Sequence, residues 1–278
     1  MRSPRAVILL LAAIAFSVLL VAAAQKPRPA PRPKPPAPSA PITPAPPAKV
    51  ERAVPFKAGE VLAYEITWSG SMTAGTATVR VADKRASMGS TAWDLIAEGR
   101  PTAFLAAIYP VYYKAETLVD AFTFLPQQSM LYSEEGRHRR SRTVTFHPDT
   151  STAAMEIKTA TVVQQTFKIP PGTLDTLSTL FAIRALPLKD GLSLTMPVAD
   201  GDDVYNVRIS VGARETIDSR LGQQAAWKVT PSVVTGTGQM KGRAMALWIS
   251  DDPRRLPLRI EADMPIGKFV VNLTESRN

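Results

Sequence analysis

Alternating apolar side chains run through most of this 278-residue chain from Phe56 onward, and this pattern constrains the fold more than any other feature. Leu62, Tyr64, Ile66 and Trp68 are separated by single polar or small residues, so each run predicts a strand with one buried face. The same alternation returns in runs that begin at Gly75, Tyr205, Ala225, Met245, Leu258 and Phe269. Short alternating runs separated by turn residues are typical of antiparallel sheets. We therefore predict a mainly β fold, a large curved antiparallel sheet of about ten to twelve strands that forms an open barrel or β-roll.

Two segments interrupt the alternation. Between Thr173 and Leu186 the apolar residues recur at helical spacing, with Thr173 or Asp175 as the N-cap and Pro187 after the end. We predict a helix near residues 173–186 that covers the sheet. A second, short helix is predicted at Phe104–Tyr113, interrupted at Pro110. The clearest turn signals are Glu135-Gly136, Asp200-Gly201 and Asp251-Asp252-Pro253.

The first fifty residues differ in composition from the rest. Residues 1–24 carry two arginines and then an apolar run that ends in Ala22-Ala23-Ala24, which predicts either a signal peptide cleaved after Ala24 or an uncleaved membrane anchor. Residues 25–50 are rich in proline and basic residues, which indicates an extended polyproline II linker. This linker is either a tether that contacts the membrane or a spacer without a partner. Residues 51–278 are predicted to form one periplasmic domain, because no proline-rich or serine-rich linker divides them.

The high net charge belongs to the N-terminal segment. Seven of the 33 lysines and arginines precede Glu51, the first acidic residue, which leaves 26 basic against 24 acidic residues and a net charge of +2 on the remainder, compared with +9 for the whole chain. A nucleic-acid-binding domain carries its positive charge on the fold, so we expect no nucleic acid partner. The absence of cysteine excludes disulfides, thiol catalysis and cysteine-ligated metals.

Five sequence segments together resemble a known family. They are D-T-L-S-T-L-F-A-I-R at Asp175–Arg184, V-A-D-G-D-D-V-Y-N-V at Val198–Val207, A-R-E-T-I-D at Ala213–Asp218, W-I-S-D-D-P-R-R-L-P-L-R-I-E at Trp248–Glu261, and F-K-A-G-E-V-L-A-Y-E-I-T-W at Phe56–Trp68. Residues 56–273 are thereby similar to a bacterial exported family named domain of unknown function 3108. The resemblance implies a β-rich secreted or periplasmic domain and supplies no catalytic residues. A looser similarity to periplasmic lipoprotein-carrier proteins implies a helix over the concave side of the sheet.

Motifs for catalysis are lacking. The chain has no G-x-S-x-G elbow, and its two histidines, His138 and His147, do not have the spacing of a zinc site. The acidic run Asp200-Gly201-Asp202-Asp203 is either a calcium ligand set or a solvated turn, and Thr235–Gly242 is a glycine-rich hairpin that fails the phosphate-loop pattern. We expect no metal, no cofactor and no catalytic residue, with a hydrolase of unrecognised type as a remote alternative.

Three groups of residues are the candidate functional sites. Large aromatic residues on alternating positions either line a ligand cavity inside the curled sheet or form ordinary core. The basic run around His138 is either an anion site or a charged hairpin that protects a sheet edge. The helix and turn residues of the family-like motifs are expected to be structural. In that order the candidates are Tyr64, Trp68, Trp93, Tyr109, Tyr112, Trp227 and Trp248, then Arg137, Arg139, Arg140 and Arg142, then Asp175, Ser178, Arg184, Asp251 and Asp252.

These observations predict an exported, non-catalytic protein of the cell envelope. The leading hypothesis is that a curved sheet binds an apolar or amphipathic, lipid-like ligand. The alternative is a periplasmic scaffold or assembly factor that binds an envelope protein through a sheet edge or through the Arg137–Arg142 hairpin. Membrane contact is expected through the N-terminal segment, and the sequence makes no prediction of oligomeric state.

Overall fold

The computed structural model of this chain describes residues 50–234, 240–241 and 244–277. The predicted signal peptide or anchor and residues 25–49 of the predicted linker lie outside the described residues, as does most of the glycine-rich segment 235–242. Within the described residues, no helix has both the length and the apolar composition needed to cross a membrane.

The described residues form sixteen strands in one sheet. The strands are β1 Val61–Trp68, β2 Met72–Ser87, β3 Ser90–Pro101, β4 Val111–Asp120, β5 Pro126–Glu135, β6 His138–His147, β7 Thr152–Lys158, β8 Val162–Lys168, β9 Leu174–Asp175, β10 Ser193–Asp200, β11 Asp203–Ser219, β12 Gly222–Val234, β13 Met240–Lys241, β14 Met245–Ser250, β15 Pro257–Met264 and β16 Gly267–Arg277. The prediction of a mainly β fold with a large curved sheet is confirmed, and the three predicted turns join consecutive strands.

The strand count was predicted too low. Strands β9 and β13 have two residues each, which is too short to show a period. Strand β8 is exposed along almost its whole length, so its sequence lacks the apolar alternation that a half-buried strand shows. Periodicity therefore found the strands that bury one face and missed strands that are held in place mainly by backbone pairing.

The strand order shows that the curved sheet does not close, because β8 and β9 are its two edges. Beginning at the edge strand β8, the order descends through β7, β6, β5, β4, β3 and β2 to β1, then continues through β16, β15, β14, β12, β11 and β10 to β9. All pairs are antiparallel except β9 with β10. The chain termini of the domain thus meet in the middle, where β1 pairs with β16, and one continuous sheet includes both halves of the sequence.

In the part of the chain that the structure describes, two α-helices interrupt the strands. Helix α1, Ala103–Ile108, is followed by β4 beyond Pro110, whereas the sequence predicted a helix over Phe104–Tyr113. Helix α2, Thr176–Arg184, lies within the predicted 173–186 segment. It begins later than predicted because Leu174 and Asp175 first pair with β10 as strand β9.

Antiparallel pairing gives the sheet two ends with different properties. We call the end that carries the β5–β6 turn (Gly136–Arg137) the open end and the end that carries the β14–β15 turn (Asp251–Leu256) the closed end. Helix α2 occupies the interior toward the closed end, where Arg184 in its last turn contacts Glu60 and the β14–β15 turn. Its apolar residues belong to the main core cluster, and seven of its nine residues are buried.

Side chains join the two edge regions of the sheet. Arg142 on β6 forms an ion pair with Asp200 at the end of β10, and Gln165 on β8 donates a hydrogen bond to Asp202, 2.9 Å away. A second apolar cluster, which includes Phe146 and Ala199, packs beneath these contacts. The curled shape is therefore stabilised across the gap between β8 and β9 by side chains rather than by backbone hydrogen bonds.

Candidate functional site

A cavity of about 680 Å³ lies on the concave side of strands β3–β6, between the N-terminus of α2 and the open end. This volume falls within the range of ligand-binding pockets, roughly 300–1,000 Å³. Its walls are strand side chains, its floor is the first turn of α2, and its rim is the β5–β6 turn together with Thr159 and Ala160 of the β7–β8 turn.

Strand register explains which side chains form the wall. Ala115 on β4 is paired with Leu131 on β5, and Leu131 is paired with Arg142 on β6, so all three share one face of the sheet. Two residues farther along, Thr117, Ser129 and Val144 repeat the same row and also line the cavity. The wall is consequently apolar or weakly polar in its deeper part and basic toward the rim.

Alternation divides the predicted arginine cluster between two faces. Arg140 and Arg142 lie on the cavity face of β6, in the same register as Ser133 and Leu131. Arg139 borders the cavity rim but directs its guanidinium to Glu134, with Nε 3.1 Å from Oε1. Arg137, in the turn itself, is exposed at the rim. The structure thus brings all four predicted arginines to one site and gives only some of them access to its interior.

The innermost arginine is neutralised. Arg142 pairs with Asp200, whose side chain is almost fully buried, and the pair closes one side of the cavity. The neighbouring Gly201 has φ +68° and comes so close that a methyl group there would lie 2.9 Å from Arg142 Nη1. The Asp200–Asp203 segment therefore contributes one wall of the cavity, as a turn that positions an ion pair.

Asp175 forms the polar floor of the cavity. It is the N-cap of α2, and its carboxylate accepts hydrogen bonds from the backbone N–H of Ser178 at 3.0 Å and from Thr117 Oγ1 at 2.6 Å. The Ser178 hydroxyl lies 3.0 Å from the Asp175 backbone nitrogen and accepts its hydrogen bond, which completes a reciprocal cap. Burial raises the pKa of the Asp175 carboxyl, although these hydrogen bonds oppose the shift.

A tyrosine on the cavity wall was not predicted. Tyr113 lines the cavity, and its hydroxyl donates to Glu135 Oε1 at 2.5 Å. Burial, reinforced by this hydrogen bond to a carboxylate, raises the pKa of the Tyr113 phenol. The alternation of side chains along β4 could have identified it, because Tyr113 shares the face of Ala115 and Thr117, whereas the predicted Tyr112 points to the opposite face.

None of the seven predicted aromatic residues lines this cavity. Tyr64 and Trp93 are buried in the main core, and Trp93 packs edge-on against Phe56 at 5.4 Å. Trp68 stacks on Phe269 and donates its indole N–H to the Ile266 carbonyl at 2.8 Å.

The other four aromatics lie elsewhere on the sheet. Tyr112 donates to Glu98 on the outer face, and the ring of Tyr109 packs beside Gly136. Trp227 donates to Asp251 at 2.8 Å, and Trp248 donates to Glu215 at 3.0 Å. In these positions all seven rings pack against or hydrogen-bond to other residues of the domain.

The remaining predicted residues lie in two structural clusters outside the cavity. Arg184 is fully buried, pairs with Glu60, and donates to the carbonyls of Arg254 and Arg255. Asp251 accepts hydrogen bonds from Arg214, Trp227 and Arg255, and Asp252 caps the following turn through the Arg254 N–H. The described residues contain no group of three or more histidine, aspartate or glutamate side chains arranged to hold a metal ion.

Comparisons with known proteins identify the family and the fold. The family described as protein of unknown function (DUF3108) matches residues 63–274. No curated protein matches the chain. A crystal structure of a β-barrel-like protein of domain of unknown function DUF1849 from Brucella abortus is similar in fold, with a TM-score of 0.56, 10% identity and coverage of 81% of this chain and 99% of that one.

Two further solved structures are more distantly similar. One is a protein assigned as exported, with a YmcC-like fold, from Bacteroides fragilis, with a TM-score of 0.32, 11% identity and coverage of 82% of this chain and 100% of that one. The other is a protein assigned as a lipoprotein from Parabacteroides distasonis, with a TM-score of 0.35, 9% identity and coverage of 81% of this chain and 98% of that one.

Proposed function

The chain belongs to the family of proteins of unknown function DUF3108, and we propose that it binds an amphipathic ligand with an acidic headgroup in the cavity beneath β3–β6. One observation carries the proposal: a single cavity joins an apolar wall to a rim of arginines. The wall would accept an acyl or similar chain, and the rim would bind the headgroup.

The apolar part of the ligand would be held by burial. Ala115, Leu131, Val144, Phe146 and Leu177 surround the deeper part of the cavity. Covering apolar surface contributes about 25 cal/mol per Å², so binding would strengthen with chain length until the cavity is filled. Asp175 at the floor is compatible with an apolar neighbour, because burial favours its uncharged form and its oxygens already accept hydrogen bonds.

The acidic part would be held at the rim. Arg137 and Arg140 are exposed there, and within the described part of the chain neither forms an ion pair. Guanidinium groups bind carboxylates and phosphates in a two-point geometry, which suits a fatty acid or a phospholipid headgroup. Arg142 would contribute less, because Asp200 already neutralises it.

We place this activity in the periplasm, on the basis of the N-terminal segment. Two arginines before an apolar run direct the downstream chain across a membrane, and Ala22-Ala23-Ala24 is a signal-peptidase pattern. Cell fractionation with N-terminal sequencing of the purified protein tests this assignment. A mature N-terminus at Gln25 in the periplasmic fraction would support it, and a cytoplasmic chain beginning at Met1 would contradict it.

The ligand is tested by native mass spectrometry of protein purified without detergent, alongside lipid extraction. A stoichiometric adduct that extracts as fatty acid or phospholipid would support the proposal. Ala115→Trp, which fills the cavity, should abolish the adduct, whereas Lys114→Trp, on the opposite face of the same strand, should retain it. An apo mass together with no affinity for added dodecanoate or dodecyl phosphate would refute the proposal.

Headgroup recognition has its own matched pair of variants. Arg140→Gln should weaken dodecyl phosphate binding by about tenfold or more, because a hydrogen bond to a charged group contributes roughly 1.5–3 kcal/mol. Arg139→Gln removes the same charge from the adjacent position, where the guanidinium is committed to Glu134, and should have a much smaller effect. Equal losses in both variants would indicate a non-specific charge effect.

A second candidate function is protein binding at the sheet edge. Strand β8 forms one edge of the sheet, and its residues Val162 and Val163 are 58% and 53% exposed. An exposed edge can accept a strand from another chain. Because the chain has no cysteine, Val163→Cys provides a unique crosslinking site in whole cells. Recovery of one defined protein, combined with an empty cavity, would favour this function over ligand binding.

A further inference from the structure

Exposed apolar side chains are concentrated at the open end of the sheet. Seven large apolar residues are exposed in the described part of the chain, and five of them lie at this end, either on helix α1 or in the first two residues of a strand. The five, with their exposed fractions, are Met72 38%, Phe104 72%, Ile108 68%, Val162 58% and Val163 53%. Met72 begins β2, Phe104 and Ile108 lie on α1 between β3 and β4, and Val162 and Val163 begin β8, and strand pairing brings these three places to the same end.

Helix α1 presents the most exposed pair. Phe104 and Ile108 are four residues apart and therefore lie on the same side of the helix. Leu105 packs against the main core cluster, and Thr102 caps the N-terminus through the Leu105 N–H. The helix is thus attached to the body of the domain by one face while Phe104 and Ile108 project from another.

Basic side chains lie directly beside this helix. The Gly136 N–H donates to the Pro110 carbonyl at 2.9 Å, and a methyl group at Gly136 would lie 3.2 Å from the Tyr109 ring. The β5–β6 turn and the end of α1 are therefore in contact. Arg137 and Arg140, both exposed, follow in that turn and the start of β6.

We propose that the open end, on its β1–β8 side, docks onto the surface of an anionic lipid bilayer. Apolar side chains next to exposed arginines match the two layers of such a surface, acyl chains below and phosphates above. Side chains that lie in three separate places at one end of the sheet can contact one flat surface together. The charge complementarity selects an anionic rather than a neutral membrane.

Several acidic residues of this end already have partners on the protein, among them Glu135, which accepts a hydrogen bond from the Tyr113 hydroxyl. Glu134 pairs with Arg139 at 3.1 Å, Glu156 pairs with Lys158 at 2.7 Å, and Glu261 pairs with Lys268 at 2.5 Å. Asp202 and Asp203 are exposed where β10 turns into β11, and Asp202 accepts a hydrogen bond from Gln165 on the edge strand β8, so both carboxylates lie at the margin of the proposed surface. The exposed Asp263 belongs to the β15–β16 hairpin on the other half of the sheet.

Docking in this orientation places the cavity rim against the bilayer. Arg137, Arg140 and Ala160 line the cavity and belong to the same end. A ligand bound as proposed above could then pass between membrane and cavity without crossing water. This last consequence depends on the proposed function, whereas the docking itself does not.

The test uses the absence of native cysteine. The purified chain carrying Ile108→Cys is labelled with an environment-sensitive fluorophore and mixed with vesicles of phosphatidylcholine, with or without phosphatidylglycerol. The emission should shift to shorter wavelength only with phosphatidylglycerol present, and high salt should reduce the shift. The same label at Met88→Cys, an exposed apolar position at the closed end, should not respond. This comparison distinguishes docking of the open end from attachment through the N-terminal segment alone.

Vesicle flotation of matched variants measures how much the apolar residues and the arginines each contribute to membrane binding. Phe104→Ser with Ile108→Ser should lower partitioning at least tenfold, and Arg137→Gln with Arg140→Gln about thirtyfold. The controls Val50→Ser with Met88→Ser, and Lys57→Gln with Lys189→Gln, remove comparable exposed residues outside the open end and should change partitioning by less than about twofold. Equal losses in test and control variants, or equal fluorophore shifts at residues 108 and 88, would overturn the proposal.

The outcomes also separate this inference from the proposed function. Ala115→Trp should leave vesicle binding unchanged while it removes the cavity adduct. A protein that carries a lipid adduct but does not bind vesicles would overturn only the docking inference. A protein that binds vesicles but takes up no ligand in its cavity would overturn only the proposed function.

Discussion

Arg184 and Glu60 form a two-point ion pair inside the domain, with Arg184 Nη1 2.6 Å from Glu60 Oε1 and Nη2 3.0 Å from Oε2. The guanidinium also lies over the rings of Phe56 and Phe181 at 5.4 and 5.2 Å. The pair joins the end of α2 to the residue that precedes β1. It therefore fixes the helix inside the curled sheet and helps to close the end opposite the cavity.

Removing one partner of this pair should destabilise the protein strongly. Arg184→Met leaves the Glu60 carboxylate buried without its partner, and we expect a loss of about 3–5 kcal/mol in the free energy of unfolding, measured by urea denaturation. Arg184→Met combined with Glu60→Leu should cost less than the two single substitutions together. The exposed pair Arg220–Glu65 is the control, and Arg220→Met should cost less than about 1 kcal/mol. Similar losses at both pairs would contradict the structural role of Arg184.

Asp175 should give the protein a pH-dependent stability of unusual sign. Its folded-state pKa is raised by burial, so the folded state holds a proton that the unfolded state releases above about pH 3.9. Stability should therefore fall as the pH rises from that value through the folded pKa. Asp175→Asn can accept the Ser178 N–H and donate to Thr117 Oγ1, and it should become more stable relative to the wild type as the pH rises over this window. Asp149→Asn, on an exposed turn, controls for the loss of one charge. Parallel curves of unfolding free energy against pH for the wild type and both variants would show that Asp175 does not cause this pH dependence.

Asp251 should show the opposite sign. Hydrogen bonds from Arg214 and Trp227 hold the pKa of its carboxyl below the ordinary value. The stability that it contributes is present above the unfolded pKa of about 3.9 and is lost as the pH falls through the folded pKa. The stability difference between wild type and Asp251→Asn should accordingly be largest near neutral pH and shrink in acid. Thermal unfolding from pH 7 to pH 3 measures it, and a difference that grows in acid would show that the hydrogen bonds do not stabilise the charged form.

Gly75 is required by close backbone packing. A methyl group there would lie 2.3 Å from the carbonyl oxygen of Arg100 on the neighbouring strand β3. Gly75→Ala must displace the backbone, and we expect a loss of about 1–3 kcal/mol in urea denaturation. Gly212→Ala is the control, because its nearest contact would be an ordinary 3.7 Å and a compatible alanine costs little or stabilises slightly. Equal effects at the two glycines would remove the packing explanation.

Sequence patterns predicted the class of fold and the position of α2, because both depend on local periodicity. Leu62 to Trp68 alternate as a half-buried strand must, and Asp175 and Ser178 have the spacing of a reciprocal cap. The composition of Arg137–Arg142 predicted either an anion site or a charged hairpin at a sheet edge, and the structure places this run on a hairpin that borders the cavity. The sequence patterns missed Glu60 as the partner of Arg184, since 124 residues separate the two in sequence.

The aromatic residues show that residue type alone does not locate a cavity. The seven large aromatic side chains were predicted either to line a cavity or to form ordinary core, and the structure places Tyr64 and Trp93 in the core, while small residues such as Ala115 form much of the cavity wall. The physical reason is volume. A curled sheet leaves space where its inward side chains are small, and large inward rings fill the interior instead.

Local chemistry in the sequence thus determined the strands, the helix and the capping residues, since each depends on neighbours within a few positions. Tertiary structure alone decided which strands meet, because the free energy that selects register and curl comes from side chains distant in sequence. The cavity lies where β6 and β10 approach each other at the Arg142–Asp200 ion pair. It remains open because α2 fills the interior only toward the closed end. No local pattern encodes that empty space, which is defined by the residues that are too small or too far apart to fill it.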